Sequence, residues 1–237
     1  MNMVNTNQLM TWACEMVGFS KVPGDSRIYN PGEGIKKILF GIDISTAELK
    51  TAKDMGFDAV IAHHPPMTPS IPAWEVYARH IDFMVNAGVP EAAARAAVEP
   101  RIETMKAGFQ SANHDHYPSI ARLLNMPFMN IHCPLDELGR RVMQDAVDQQ
   151  LAKNPDSTLQ QVADAINALP EFATSFTKIE IAMGEANQRA GKVVVAHGAL
   201  TNGGYAIADT YYRHGVDTVI YIHIGYPDLQ KLRSEHK

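Results

Sequence analysis

Four apolar residues, Ala59 to Ala62, run straight into His63-His64 and are stopped by Pro65-Pro66, and this junction constrains the fold more than any other part of the chain. A continuous apolar run of that length reads as a strand buried on both faces, as in a parallel sheet covered by helices. Prolines cannot extend a hydrogen-bonded ladder, so the strand ends where the two histidines begin. Upstream, residues 35–44 read as a second apolar strand. Ser45 and Glu48 have the spacing of a capping box that opens a helix, and Gly56 is placed to close it. Strand, helix and strand in that order make a β-α-β unit with parallel neighbouring strands and a right-handed crossover. A second such unit is expected from a strand at 192–196, a helix at 204–214 and a strand at 216–222. The expected fold class is α/β, with two β-α-β-based lobes and mainly parallel or mixed sheets. A boundary near Pro155 gives lobes 1–155 and 156–237, the first carrying the histidine motifs.

The rest of the chain fits around these units. Residues 5–19 read as an amphipathic helix with Leu9, Trp12, Ala13, Met16 and Val17 on one face. The Pro/Gly-rich stretch 22–34 reads as a loop. Helices are expected at 74–87 and 90–107, separated by Gly88, and a shorter one at 120–124. A short buried strand follows at 127–131, then a helix at 138–152. Ser157 with Gln160 has capping-box spacing for a helix reaching Leu169. No internal repeat of fixed period is visible.

Composition narrows the function. The 237 residues are 46% hydrophobic and 20% charged, enough to bury a core and unlike a disordered chain. The net charge is -5 and no block of Lys or Arg forms a basic stripe, which argues against nucleic acid or an anionic membrane as partner. The apolar runs are far shorter than the ~20 residues of a membrane span. Residues 1–8 are polar and lack the basic-then-apolar order of a signal peptide. With only Cys14 and Cys133, neither a disulfide scaffold nor a four-cysteine zinc site can be built, and a cytoplasmic location is expected. No Gly-x-Ser-x-Gly elbow is present, so serine-nucleophile chemistry has no support.

Ten histidines are many for 237 residues, and several sit where strands end. His63 and His64 leave a strand at its carboxyl end, the position where ligands bind in open α/β sheets. Adjacent residues of an extended chain point opposite ways, so two metal ions could take one histidine each; alternatively, one imidazole simply caps a carbonyl. A second short strand ends in Asn130-Ile-His132-Cys133-Pro-Leu-Asp136. A histidine and a carboxylate suit zinc, iron or manganese, although Asp136 could equally cap the helix expected from 138. Cys133, followed by Pro134, reads as packing. His114-Asp115-His116 lies in a polar loop and could chelate. Thr201-Asn-Gly-Gly204 after His197-Gly198 could offer backbone amides to an anion at a helix start, or form only a tight turn. His223 closes a further strand, as a ligand or as a plain strand exit.

Taken together, Val22-Pro-Gly-Asp-Ser26, Gly41-Ile-Asp43, the strand ending His63-His64-Pro65 and His132-Cys-Pro-Leu-Asp136 resemble the Nif-three-like family, also called GTP cyclohydrolase 1 type 2 homologues. Gly203-Gly204 and Val216-Asp217-Thr218 are similar to that family's second lobe. The resemblance implies two α/β lobes, a homohexameric ring and two divalent metal ions per subunit, zinc, iron or manganese. It implies that His63, His64 and Asp136 are metal ligands, with Asp136 bridging, and that His132 lines the pocket as the catalytic group that moves protons. The implied activity is metal-dependent hydrolysis of a nucleotide or phosphoester; the alternative is a non-catalytic metal-binding or scaffold ring. The family's remaining ligands lie in a C-terminal Gly-His followed four residues later by an acid. Here His223 has Pro227 at that spacing. The expectation is an incomplete site, from a second lobe that lacks a final strand or recruits His223 or His116. Phe83-Met84-Val85 is expected to be poorly buried within one subunit and so to favour association.

Overall fold

The computed structural model describes residues 3–66, 72–111 and 115–236. Its first elements are α1 (Thr6–Met16), β1 (Arg27–Asn30), β2 (Ile38–Gly41), α2 (Thr46–Asp54), β3 (Ala59–Ala62), α3 (Trp74–Tyr77) and α4 (Arg79–Asn86). Then come α5 (Glu91–Ser111), α6 (His116–Leu123), β4 (Phe128–Asn130) and α7 (Cys133–Lys153). The last are α8 (Leu159–Asn167), α9 (Pro170–Ala173), β5 (Val193–Val195), α10 (Gly204–Arg213), β6 (Thr218–Ile220) and α11 (Tyr226–Glu235). They form two compact units, Met1–Ala78 with Arg101–Leu138, and Arg79–Pro100 with Gly139–Lys237. Pro155 therefore falls inside the second unit. The chain changes unit within α5 and within α7, where unbroken helical periodicity gives no boundary signal.

The first unit is built on a four-stranded sheet of order β1-β4-β3-β2. β2, β3 and β4 are parallel, with Ile38 opposite Ala59 and Ala62 opposite Asn130; β1 is antiparallel to β4. All four residues of β3 are buried, because successive side chains enter two different cores. Val60, Ala62 and Phe128 pack with Leu49 and Ala52 of α2 and Ala121 of α6. Ile61 and Met129 pack with Met10, Ala13 and Cys14 of α1. The capping box of Ser45 and Glu48 opens α2 as the spacing requires, and Gly56 beyond its end has φ +66.

Three local expectations change. The segment 22–34 holds β1, which pairs with β4 rather than looping freely. On α1 the buried set is Met10, Ala13, Cys14 and, just beyond it, Val17, while Trp12 and Met16 are exposed. That set has the same spacing as the expected one displaced by one residue; periodicity alone could not choose between two overlapping apolar stripes. Met84 is fully buried and the Phe83 ring packs against the guanidinium groups of Arg79 and Arg140, so of that triplet only Val85 is exposed.

The second unit holds the parallel pair β5 and β6 joined by α10. Its core gathers Met143 and Val147 of α7, Val162 and Ile166 of α8, and Val193, Val195 and Ile220 of the strands. The capping box that opens α8 is Thr158 with Gln161, one residue beyond Ser157 and Gln160. Ser157 is instead buried, with its hydroxyl donating to the Asn154 carbonyl at 2.6 Å.

The two β-α-β units share one clamp. Asp58, just before β3, accepts from the amides of Lys36 and Lys37 at 2.9 and 2.8 Å, bonds that hold its carboxyl below the usual range. Asp217, just before β6, accepts from the Lys192 amide at 2.7 Å. Each aspartate follows a Gly-x pair whose glycine has positive φ: Gly56 at +66 and Gly215 at +82. Each clamp ties the start of the second strand to the approach of the first, which sets the register of the pair.

His80 of α4 has no exposed surface, and its Nε2 lies 2.9 Å from the Thr201 carbonyl, to which it donates. Burial drives its pKa down from 6.5 to about 4 against the upward pull of that bond, with His197 and Arg79 adding to the fall. Above pH 6.5 the ring is neutral both folded and unfolded and contributes no pH dependence. As pH falls from 6.5 towards 4 the unfolded chain takes up the proton first, so stability declines by up to about 3 kcal/mol. Chemical denaturation across that window should show this slope, and His80→Gln, which keeps a donor, should flatten it. An unchanged slope in the variant would assign the acid sensitivity elsewhere.

Candidate metal centre

β3 delivers His63 and His64 together because backbone pairing continues past its end. The His63 amide donates to the Gly41 carbonyl at 2.8 Å and the His64 amide to the Ile42 carbonyl at 2.9 Å. The chain bends there, and the two rings lie on a common side with centroids 5.1 Å apart. The expectation that neighbouring histidines point opposite ways holds only for an extended strand. His132 arrives from the next strand, since the Ile131 amide donates to the Ala62 carbonyl at 3.0 Å. Its ring centroid is 4.7 Å from that of His63 and 5.6 Å from that of His64. The three offer ligand nitrogens that all lie within 4.8 Å of one another, so this group could bind a metal ion. Among the described residues no other three His, Cys, Asp or Glu side chains come together in this way.

α7 begins at Cys133, five residues before the helix expected from 138, which places Asp136 in its first turn. Asp136 stands against two of the imidazoles, with Oδ1 3.1 Å from His63 Nε2 and Oδ2 3.5 Å from His132 Nε2. It is 6% exposed, so this is an interior meeting of groups and not a solvated helix cap.

The other ring nitrogens fix what each imidazole can do. His63 Nδ1 lies 3.2 Å from the Ile131 carbonyl, His64 Nδ1 2.8 Å from Asp43 Oδ1, and His132 Nδ1 2.7 Å from Asp25 Oδ2. A carbonyl or an ionised carboxylate can only accept, so each neutral ring carries its proton on Nδ1 and keeps a lone pair on Nε2. Two of those lone pairs, on His63 and His132, face the oxygens of Asp136. Lone pair against carboxylate is repulsive unless a proton or a metal ion lies between them. Ligand atoms in one tetrahedral zinc shell are about 3.3 Å apart, and the 3.1 and 3.5 Å separations bracket that spacing. The three imidazoles could hold a borderline divalent ion such as zinc, iron or manganese, and Asp136 stands beside two of them. For His132, burial lowers the pKa, but the bond to Asp25 and the charges of Asp136 and Asp25 outweigh it, so the net shift is upward.

Asp25 is the participant that sequence reasoning did not assign. It sat in the stretch taken for a loop, and its signal was the run Val22-Pro-Gly-Asp-Ser26. His116 is exposed at the start of α6, its ring edge-on to Tyr117, and His114 lies outside the described residues. His223 belongs to the second unit, and its Nδ1 lies 2.8 Å from the carboxamide of Asn202. The turn before α10 has its own anion, because Asp228 Oδ2 lies 2.6 Å from where a Gly204 Cβ would stand. Beside His64 is a cavity of about 370 Å³ lined by residues including Asp43, Ser45, Glu48, Pro65, Pro66 and Tyr117.

Fold and site thus define an α/β protein with a histidine-rich group able to hold a metal ion. No protein-family model and no curated protein matches the sequence. Among solved structures, the crystal structure of a NIF3 superfamily protein from Sphaerobacter thermophilus is similar, with a TM-score of 0.95 and 45% identity. The match covers 99% of this chain and 86% of that one. The chain belongs to the NIF3 superfamily.

Protons and metal compete for His132 Nε2, and Asp25 and Asp136 strengthen that ring's hold on its proton, so zinc affinity should climb as pH rises. Isothermal titration should show this climb, and His223→Ala should leave it unchanged. A flat profile would mean that no imidazole proton is displaced.

Proposed function

We propose that the chain is a metal-dependent hydrolase acting on a phosphoester or nucleotide, with His63, His64, His132 and Asp136 holding the metal. The observation that carries this reading is the convergence of three imidazoles, two of them with Nε2 turned on one buried carboxylate, an arrangement that a metal ion between them would stabilise. An ion held there would supply Lewis acidity, lowering the pKa of water and offsetting charge that develops on substrate oxygens. The chain's own residues do the rest. His63 and His132, largely buried, hold the floor of the site, while the half-exposed His64 and its partner Asp43 form the side open to substrate. The 370 Å³ cavity beside His64 is of a size suited to a small ligand. With Asp43 and Glu48 on its wall, an anionic substrate would depend on the metal charge for attraction. Two ions per subunit, the number implied by the resemblance, would require ligands beyond these four.

Turnover of an activated phosphodiester with added zinc or manganese tests the reading. Removing the carboxylate by Asp136→Ala should lower the rate on the order of 10³-fold, the equivalent of several kcal/mol of metal-derived stabilisation. Tight stoichiometric metal without turnover of any activated phosphoester would overturn the hydrolase and leave a metal-binding scaffold.

Self-association, to the hexameric ring the resemblance implies, is part of the proposal. It is supported by exposed Trp12 and Met16 on α1 and by Phe40 and Ile42 on and just past the edge strand β2. Light scattering should give a multiple of 26.1 kDa, and a single 26.1 kDa species at high concentration would refute it.

A further inference from the structure

Asp25 is a carboxylate with no exposed surface. An ionised carboxylate taken out of water costs several kcal/mol unless its oxygens are hydrogen-bonded, so its partners explain its presence. Oδ2 accepts from His132 Nδ1 at 2.7 Å, while Oδ1 accepts from the Ser26 hydroxyl at 3.3 Å and the Cys133 amide at 3.4 Å. The backbone that carries Asp25 is tied down separately. The Asn130 carboxamide donates to the Asp25 carbonyl at 2.7 Å, and its oxygen accepts from the Arg27 amide and the Tyr29 hydroxyl. Ser26 Oγ accepts from the His132 amide at 2.9 Å, so the same turn grips the ring and the backbone of His132. Gly24 passes so close to Pro72 that a Cβ would stand 2.6 Å from its carbonyl oxygen, which leaves room for no other residue there.

The three imidazoles of the centre have three different partners at Nδ1. His63 has a backbone carbonyl, His64 an exposed carboxylate, and His132 a carboxylate sealed from water. Only the last is both charged and unscreened. A buried acceptor of full charge fixes the tautomer most firmly, orients the ring and makes Nε2 more electron-rich.

We infer that Asp25 is a positioning residue of the metal centre: it locks His132 with its proton on Nδ1 and its Nε2 lone pair turned to Asp136, which makes His132 a ligand and not a free proton carrier. The inference rests on the metal-binding reading above. The carboxylate is the feature that matters, because it can only accept. A carboxamide of the same shape can donate, and by donating to Nδ1 it would move the proton to Nε2 and block the lone pair.

Nitrogen NMR of the histidine rings in metal-free protein, with zinc titration calorimetry, tests this without any substrate. In the wild type the neutral His132 ring should carry its proton on Nδ1. In Asp25→Asn the proton should move to Nε2, and zinc affinity should fall by about 10–100-fold while circular dichroism shows the fold retained. A merely structural Asp25 would change stability without moving the ring proton. A proton on Nε2 in the metal-free wild type overturns the inference, and that measurement needs no variant to fold. Asp25→Asn affinity within about threefold of wild type overturns it as well. If the wild type takes up no zinc, the metal reading fails, yet the ring tautomer still decides whether Asp25 sets the state of His132.

Discussion

β3 is gripped on both sides, by β2 through the Gly41 and Ile42 carbonyls and by β4 through the Ile131 amide, and the position of every imidazole in the centre depends on that grip. Slipping β3 by one residue would turn Ile61 into the face that now takes Val60 and Ala62, and would carry His63 away from Asp136. The Asp58 clamp on Lys36 and Lys37 holds the register at one end, and the paired amides of His63 and His64 hold it at the other. Packing on both faces then makes the slip costly, since fully buried side chains such as Leu49 and Phe128 contribute roughly 1.5–3 kcal/mol each. The sheet that stabilises the unit is thus also the jig that aligns the site.

The centre is graded from interior to solvent. His132 and Asp136 are 4% and 6% exposed, whereas about half of the His64 side chain reaches water. A cation is held strongly where the dielectric is low and the ligands cannot rotate away. The exposed imidazole would leave such a cation approachable. Asp43, which orients His64, is itself largely exposed and so gives a weaker hold than buried Asp25 gives His132.

Local chemistry was legible in the sequence wherever one short segment decides the outcome. The Ser45-Glu48 capping box, the glycine after α2, the apolar β3 and the histidines at its end all stand where their spacing puts them. What stayed hidden depends on partners distant in the chain. β1 is a strand only because β4 pairs with it, about a hundred residues later. The buried stripe of α1 was ambiguous by one residue, and the sheet face it packs on made the choice. Asp25 gains its meaning from His132, 107 positions away, and no spacing rule connects them. The opposed directions expected of His63 and His64 failed because the chain bends after β3, where the His64 amide still pairs with the Ile42 carbonyl.

The two β-α-β units end in a histidine at matching positions, with a carboxylate beside one and a carboxamide beside the other. Asp43 and His64 are 21 residues apart, as are Asn202 and His223, and each histidine stands six residues after its clamping aspartate, Asp58 or Asp217. The backbone plan is the same, and one atom differs. Asp43 offers His64 an oxygen that can only accept, which leaves the lone pair on Nε2; the Asn202 carboxamide carries both a donor and an acceptor and does not by itself fix which nitrogen of His223 holds the proton. Within one architecture, therefore, a carboxylate fixes the tautomer of the imidazole at the strand exit, whereas a carboxamide can serve either tautomer.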